Sequence, residues 1–438
     1  MSSRVGLFVL TCLMALAFPT RPFYSQVKID IEGPVGRRSP IAVSLLKNVG
    51  PPDDKRRISE SITDTLVYDL NLSGWFRVLD RTAYIENPQT SGITAGSFDF
   101  KDWSTIGAEG LVKGGFALQG DDLTVDMRLF DVFQAKLIVG KRYSGRGGDS
   151  RRIAHRFADQ IIAEFTGIPG VFNTRIAYIS STSGFKELFV SHLDGTGKQQ
   201  LTNNRTINLR PSWSPEGRFV LYTSYKEGLP ALYLYDLATG RDTRLGSQRN
   251  SSMGGRWSPD GRQIVAVFEE NGNSDLYLLD RSGKTVRRLT EDPGIDVSPT
   301  WAPEGNRIAF VSDRSGSPQI YAMDVATGKT QRLSYSGSYN TSPDWAPKGD
   351  KITYTGRVAG RFHIFTMNAQ GGEAQQLTSS AGDNEDPSFA PDGRMIVFSS
   401  SRTGRYQLHI MRDTGENQQR LTASGGGDTN PSWSPRLE

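Results

Sequence analysis

Trp213-Ser214-Pro215-Glu216-Gly217 returns as Trp257-Ser258-Pro259-Asp260-Gly261, Trp301-Ala302-Pro303-Glu304-Gly305, Trp345-Ala346-Pro347-Lys348-Gly349, Phe389-Ala390-Pro391-Asp392-Gly393 and finally Trp433-Ser434-Pro435. Each step is 44 residues. A second column keeps the same interval without a gap: Leu201-Thr202, Leu245-Gly246, Leu289-Thr290, Leu333-Ser334, Leu377-Thr378 and Leu421-Thr422. Self-similarity at a period of this length marks a repeat architecture before any element is assigned. Within one period the runs Arg307 to Ser312, Gln319 to Asp324 and Thr330 to Leu333 are β-branched and aromatic, with turn residues between them. Proline presets φ in the turn after each Trp motif and glycine supplies a positive φ, while Ala326-Thr327-Gly328 closes the next hairpin. Four short antiparallel strands per period make the blade of a propeller. A single blade cannot bury both of its faces, so neighbours stack radially and six of them close a ring.

The ends of the repeat show how that ring closes. The first unit has its later strands, Ile176 to Ser180, Leu188 to His192 and Gln199 to Thr202, but carries Pro169 in the Trp213 column. The last unit supplies only Asn430-Pro431-Ser432-Trp433-Ser434-Pro435 before Glu438. The C-terminal strand is therefore expected to complete the first blade, which removes an exposed sheet edge.

Residues 27 to 166 follow a different pattern. Ile58, Ile62, Leu66 and Leu70 recur every fourth residue between Asp53-Asp54 and Ser73-Gly74, and Ile153, Phe157, Ile161 and Phe165 do so between Asp149-Ser150 and Gly167. Both are amphipathic helices with capping residues. Leu123, Val125, Met127 and Leu129 alternate with Thr124, Asp126, Arg128 and Phe130 after the Gly120-Asp121 turn, as a half-buried strand does. The fold class is an α/β N-terminal domain followed by an all-β six-bladed propeller. Its expected divisions are a signal peptide at 1–25, a flexible segment at 26–40, the α/β domain at 41–166, a linker at 167–174 around Gly167-Ile168-Pro169-Gly170, and the propeller at 175–438.

The signal is read from Arg4 followed by the uncharged apolar run Val5 to Phe18, which suits export better than a membrane span. Cleavage fits after Ala15-Leu16-Ala17 or after Phe23-Tyr24-Ser25, and Gln26 is favoured as the start of the mature chain. The only cysteine, Cys12, lies inside this run, so disulfides and Cys metal sites are not expected in the mature protein. Thr11 stands where a lipoprotein signal needs a smaller residue, so lipid attachment is not expected either. Loss of Arg4 and Arg21 lowers the formal charge from +4 to +2, and no run of like charges suggests nucleic-acid or anionic-membrane binding.

Catalytic patterns are weak. His155, His192, His363 and His409 are far apart, the last three within strand runs, and none has metal-ligand spacing. Gly283-Lys284-Thr285 and Gly328-Lys329-Thr330 are hairpin turns, since Leu278 and Met323 stand where a phosphate loop needs its first glycine. No Gly-x-Ser-x-Gly elbow occurs, and an α/β-hydrolase domain after the repeats is not expected before Glu438. Glu216, Asp260, Glu304 and Asp392 repeat with the turns, whereas catalysis needs one asymmetric site. Five of the seven tryptophans share one repeat column, which points to packing between blades. No catalytic residue, cofactor or metal is assigned.

Taken together, the export signal, Leu70-Asn71-Leu72-Ser73-Gly74-Trp75-Phe76, the junction from Phe157-Ala158-Asp159 through Thr166-Gly167 to Thr174-Arg175-Ile176-Ala177-Tyr178, and the Trp-Ser-Pro-Asp-Gly repeats resemble the TolB family over the whole mature chain. Propellers of this type also occur in peptidases, sugar-processing enzymes and surface proteins, so the two-domain order is what makes the likeness specific. The resemblance implies a periplasmic, monomeric, non-enzymatic adaptor of the Tol-Pal system that supports outer-membrane integrity and constriction during division. It implies binding of the C-terminal domain of TolA through the mature N-terminus, here Gln26, Val27, Lys28, Ile29, Asp30 and Ile31. Their alternation suits a peptide that adds itself to a partner's sheet edge, or equally a strand of the chain's own first domain. It implies binding of the lipoprotein Pal at the propeller mouth, where the loops before each Trp motif offer Asn208, Ser251, Ser252, Met253, Asp296, Val297, Asn340, Thr341, Asn384, Glu385, Asp428 and Thr429 as a polar, partly acidic rim. The alternative from another class is a carbohydrate-active or ligand-binding propeller using the rim acids Asp296, Asp383, Glu385, Asp386 and Asp428.

Overall fold

The computed structural model describes residues 38–51, 56–246 and 251–437. The signal peptide, Gln26 to Ile31 and the Asp53-Asp54 cap lie outside the described residues. From Arg175 onward the chain forms six four-stranded antiparallel sheets, each built in sequence order from the channel outward. Blade 1 is the exception in order: its inner strand is Asp428–Trp433, followed by β7 (Arg175–Ser180), β8 (Glu187–His192) and Gln199–Gln200. Blades 2 to 6 begin with inner strands Asn208–Trp213, Ser251–Trp257, Asp296–Trp301, Asn340–Trp345 and Asn384–Phe389. The ring is closed by antiparallel pairing of Trp433 with Ile176 and Asp428 with Ser180. The indole N–H of Trp433 donates to Thr174 Oγ1 at 2.8 Å, and Arg175 N donates to Ser434 Oγ at 2.9 Å.

The repeat columns become structure in a uniform way. Trp213, Trp257, Trp301, Trp345, Phe389 and Trp433 are all buried between blades. The Trp213 indole donates to Ser432 O of blade 1 and the Trp301 indole to Arg256 O of blade 3, so each ties its strand to the neighbouring blade. After the first five of them the chain reverses in a tight turn, the Gly217 N–H donating to Ser214 O at 2.9 Å in blade 2. Gly217 sits at φ 72°, and the equivalent glycines of blades 3 to 6 at 68° to 77°, a region that other residues enter only at a cost. Every inner strand also shifts register at its centre, between Leu209 and Ser212 and at the matching positions of the other five. These are bulges, which bend a strand and turn a side chain aside.

The α/β domain has one mixed sheet. β1 (Ser39–Val43) lies parallel between β3 (Phe76–Val78) and β4 (Gly110–Gln119), β2 (Lys47–Asn48) also pairs with β4, and β5 (Asp122–Asp131) and β6 (Lys136–Arg146) continue antiparallel. α1 (Ile58–Ser73) and α3 (Ser150–Thr166) share one core with the sheet: Ile58, Ile62, Leu66, Leu70, Ile153, Phe157 and Ile161 are buried with Leu123, Val125, Met127 and Leu129. The short α2 (Phe100–Thr105) fastens the 80–107 excursion, where buried Glu86 pairs with buried Lys113 and accepts the Trp103 indole N–H at 3.1 Å. α3 ends at Gly167, φ 70°, where an added Cβ would touch nothing. Gly167→Ala therefore isolates the backbone cost, and is expected to lower stability by about 1–2 kcal/mol in urea unfolding.

Residues 167–174 are packed onto both neighbours. Val171 and Phe172 are buried, and both oxygens of Asp159 accept backbone N–H groups, from Phe172 at 2.7 Å and Asn173 at 3.1 Å. The core of the α/β domain runs directly into blades 6 and 1 through Met395, Val397, Leu408, Ile410, Ile176 and Trp433. Contacts come from the hairpins that follow the inner strand and the third strand: Arg394 stacks over Trp75 at 5.3 Å and Asn417 donates to Leu72 O at 3.3 Å. In an antiparallel meander those hairpins lie at one end of the ring. The loops between blades lie at the other, so the mouth faces away from the α/β domain.

Candidate protein-binding face

The residues expected to form a solvated rim at the mouth fall into two groups. Asn208, Asp296, Asn340, Asn384 and Asp428 are at most 2% exposed, which corrects their assignment to the rim. Each begins an inner strand and turns inward. Asn208 Nδ2 donates to Glu187 Oε2 at 3.0 Å, which also accepts the Thr202 hydroxyl at 2.6 Å. Asn340 and Ser334 meet Gln319 Oε1 in the same way at 2.8 and 2.7 Å. Asp296 holds Arg314 with both oxygens at 3.0 and 2.9 Å, Asn384 Oδ1 accepts from Ser400 and Arg402 at 2.8 Å each, and Asp428 accepts from Ser424 at 2.8 Å.

The Leu-Thr column belongs to this framework. The hydroxyls of Thr202, Thr290, Ser334, Thr378 and Thr422 each accept a backbone N–H from the third strand of their own blades, at 2.8 to 3.0 Å. Buried polar groups that have found internal partners cannot also serve a ligand without losing them. Between blades 2 and 3 the set is replaced by Ala231, Gly246 and Ser252, and the Ser252 hydroxyl has no partner.

Of the other expected rim residues, Ser251, Thr341, Glu385 and Thr429 are half-buried and Met253 is exposed. Val297 is half-buried too, but packs into the cores on either side of blade 4, a second correction. Glu385 contacts the Tyr406 hydroxyl, and burial raises its carboxyl above the usual range. In the channel the bulges present a ring formed by Arg210, Gly254, Ser298, Ser342, Asp386 and Asn430, all at φ between 49° and 105°. Arg210 crosses over Gly254, whose added Cβ would lie 3.1 Å from Arg210 Cδ, and donates to Ser298 Oγ at 2.8 Å. Opposite, Asp386 accepts from Ser342 and Asn430 at 2.9 and 2.7 Å. The cavity there measures about 60 Å³, far below the ~300–1,000 Å³ of a typical small-molecule site. With Asp296 and Asp428 buried as well, the acids proposed for a sugar site do not converge on a space that admits one.

The exposed surface at the mouth is apolar instead. Ile207, Ile295, Tyr335 and Tyr339 stand exposed in the loops between blades, and Phe185, Leu229 and Val358 in the hairpins that share this end. Together with Met253 they are eight of the nine large apolar residues exposed on the described propeller; the ninth, Val286, lies in the outer strand of blade 3, beside a hairpin of the opposite end. An apolar set gathered at one end of a domain makes that end a candidate interaction surface. Sequence reading passed over it. The available signal was the position just before the buried column, which reads Ile207, Ser251, Ile295, Tyr339, Asp383 and Gly427 and is apolar in blades 2, 4 and 5 only.

No group of three or more His, Cys, Asp or Glu among the described residues is placed to hold a metal. His192 and His409 are pushed down to about 4 by burial and lie within blades. No described helix is long and apolar enough to cross a membrane.

A family model described as "TolB beta propeller domain" matches residues 162–437, and one described as "TolB amino-terminal domain" matches residues 27–138. The Tol-Pal system protein TolB of Desulfosudis oleivorans is 39% identical over 232 residues, 53% of this chain and 52% of that protein. That of Syntrophotalea carbinolica is 41% identical over 216 residues, 49% of this chain and 48% of that protein. The chain thus spans about half the length of the curated relatives it matches. The crystal structure of TolB from Acinetobacter baumannii superposes with a TM-score of 0.78 at 29% identity, covering 91% of this chain and 97% of that one.

Proposed function

The chain belongs to the TolB family, and from that premise we propose that it is a periplasmic, monomeric adaptor of the Tol-Pal system that binds other proteins and catalyses nothing. In this reading the propeller mouth receives the lipoprotein Pal. The mature N-terminus, Gln26 to Ile31, engages the C-terminal domain of TolA, and the two contacts support outer-membrane integrity and constriction at division. The observation that supports it most is the one-sided distribution of exposed apolar residues on the propeller. They crowd the end that the α/β domain leaves open, around a channel whose cavity measures about 60 Å³.

Interfaces of this kind draw most of their affinity from a few aromatic and apolar anchors. Replacing Tyr339 and Met253 together by Ala is expected to weaken Pal binding at least ~30-fold in titration calorimetry, with about 2 kcal/mol lost. The melting temperature should stay within a few degrees, because both side chains are exposed. Unchanged affinity for Pal, or no binding of Pal by the unmodified chain at tens of micromolar, refutes the assignment of the mouth. Deleting residues 26 to 33 is expected to abolish TolA binding and spare that of Pal.

A further inference from the structure

The longest strand among the described residues lies at the edge of a sheet. β6 runs from Lys136 to Arg146, eleven residues, and pairs with β5 on one side only. β3, at the opposite edge of that sheet, has three residues, and the outermost strands of the six blades have two to five. Short edges give another chain little to pair with, whereas a long one is a template for a further strand. The register shows which backbone groups are left over. Gly147 N donates to Asp121 O at 2.9 Å, and the pairs Gly145 with Leu123, Tyr143 with Val125, Lys141 with Met127 and Val139 with Leu129 follow at every second residue. Bonded and unbonded pairs alternate along an antiparallel ladder. The N–H and C=O groups of Gly140, Arg142 and Ser144 therefore point away from β5, all three residues are exposed, and among the described residues none of these groups has a partner. The free row ends at Arg146, whose N–H donates to Asp149 Oδ2 at 2.8 Å.

Side chains along this edge narrow the choice of occupant. Lys136 and Lys141 are exposed, as is Arg156 of α3 beside Tyr143, and none of the three has an ion-pair partner among the described residues. Arg142, by contrast, is held by both oxygens of Asp126 at 3.0 and 2.7 Å. The unneutralised charge beside the free row is thus positive. At the hairpin end of β6, Phe133, Leu137 and Ile138 are three of the five large apolar side chains exposed on the described α/β domain. A second copy of the chain is a poor match, since pairing β6 with itself sets the lysines and arginines of one strand beside those of the other. An acidic strand with apolar residues at one end complements both features.

We propose that the free edge of β6 is a docking site for an extended acidic segment of another protein, which adds itself antiparallel as a further strand of the α/β sheet. The backbone of that segment pairs with Gly140, Arg142 and Ser144, and its carboxylates lie along Lys141 and Arg156. Apolar residues at its C-terminal end cover Phe133, Leu137 and Ile138. The same basic side chains turn away copies of the chain itself, helped by the register shift that leaves Ile138 without a partner on β5. The edge belongs to the α/β domain, so the proposal stands or falls independently of what binds the propeller mouth.

The probe is an octapeptide blocked at both ends, three threonine–glutamate repeats followed by valine and leucine, titrated into the full chain. Its dissociation constant is expected on the order of 100 μM. Amide hydrogen exchange, read residue by residue by nuclear magnetic resonance, should slow at Gly140, Arg142 and Ser144 and stay unchanged at Val139, Lys141 and Tyr143, which are bonded to β5 already. That alternation marks an added strand, and a contact through side chains alone does not produce it. Lysine in place of glutamate in the peptide should abolish saturation. Ser144→Pro removes one outward N–H and leaves the ladder to β5 whole, so it should weaken the glutamate peptide at least ~10-fold with little change in melting temperature. Lys141→Glu combined with Arg156→Glu should reverse the preference between the two peptides, and decides the matter if Ser144→Pro does not fold. No saturation by about 1 mM, equal binding of both peptides, or slowed exchange without the alternation overturns the proposal. So does protection of Gly140, Arg142 and Ser144 before any peptide is added, or a dimer in sedimentation that Ser144→Pro dissolves, because the edge is then already taken.

Discussion

A chain lacking residues 428–438 is expected to lose the cooperative unfolding of the propeller and to be digested throughout by trace protease. Those residues form the inner strand of blade 1, whose partner β7 would be left with an open edge facing the channel. Blade 2 would lose a contact as well, because the Trp213 indole donates to Ser432 O at 3.1 Å. Trp433 alone is 6% exposed within the core that joins blades 1 and 6 to the α/β domain, and its removal costs about 3–5 kcal/mol. Whole domains are stable by only about 5–15 kcal/mol, so losing the strand in addition exhausts the margin. Thermal unfolding followed by circular dichroism decides the matter, with Trp433→Ala as the milder companion. A truncated chain that melts in one transition within a few degrees of the full chain would show that the ring does not need its fastening.

How far the residues reveal this architecture follows from which of their roles repeat. The Trp column and the Pro-Gly turn recur because every blade needs the same wedge and the same reversal, and periodicity exposes both. The buried stripes of α1 and α3 and the alternation of β5 are legible for a similar reason: Ile62, Leu66, Phe157 and Val125 each obey the period of a single element. The Asn and Asp column was visible as a column, but its location was misread. A polar residue beside a loop looks the same whether it faces water or pins the neighbouring strand, and Glu187 or Gln319, which complete the bond, lie too far along the chain to be paired by spacing. Binding surfaces are hidden by the opposite property. Ile207, Ile295 and Tyr339 have Ser251, Asp383 and Gly427 as their counterparts, so a reading tuned to repetition discards the irregularity that marks them. His155 shows the same limit, since its partner Asp69 stands 86 residues earlier and the hydrogen bond between them depends on two elements being brought together.

That contrast separates framework from surface at two adjacent positions. Asp296→Ala is expected to cost about 3–5 kcal/mol, because it removes the buried carboxylate whose two oxygens accept from Arg314 Nη2 and leaves the guanidinium only Ser312 Oγ at 2.7 Å and the more distant Asp292. Asp296→Asn should lose less, since it retains one acceptor for Arg314 and the inward hydrogen-bonding geometry. Ile295→Ala, one residue earlier, removes a side chain that is 47% exposed and should leave stability within about 0.5 kcal/mol. Under the proposed assignment of Pal to the mouth the order is expected to reverse: Ile295→Ala should weaken binding, whereas the folded fraction of Asp296→Ala should bind as the parent does. Urea unfolding and calorimetric titration on the same three preparations read both quantities. An Asp296→Ala protein that keeps its stability but loses Pal would return the buried column to the rim, and with it the view of the mouth as an acidic rather than an apolar surface.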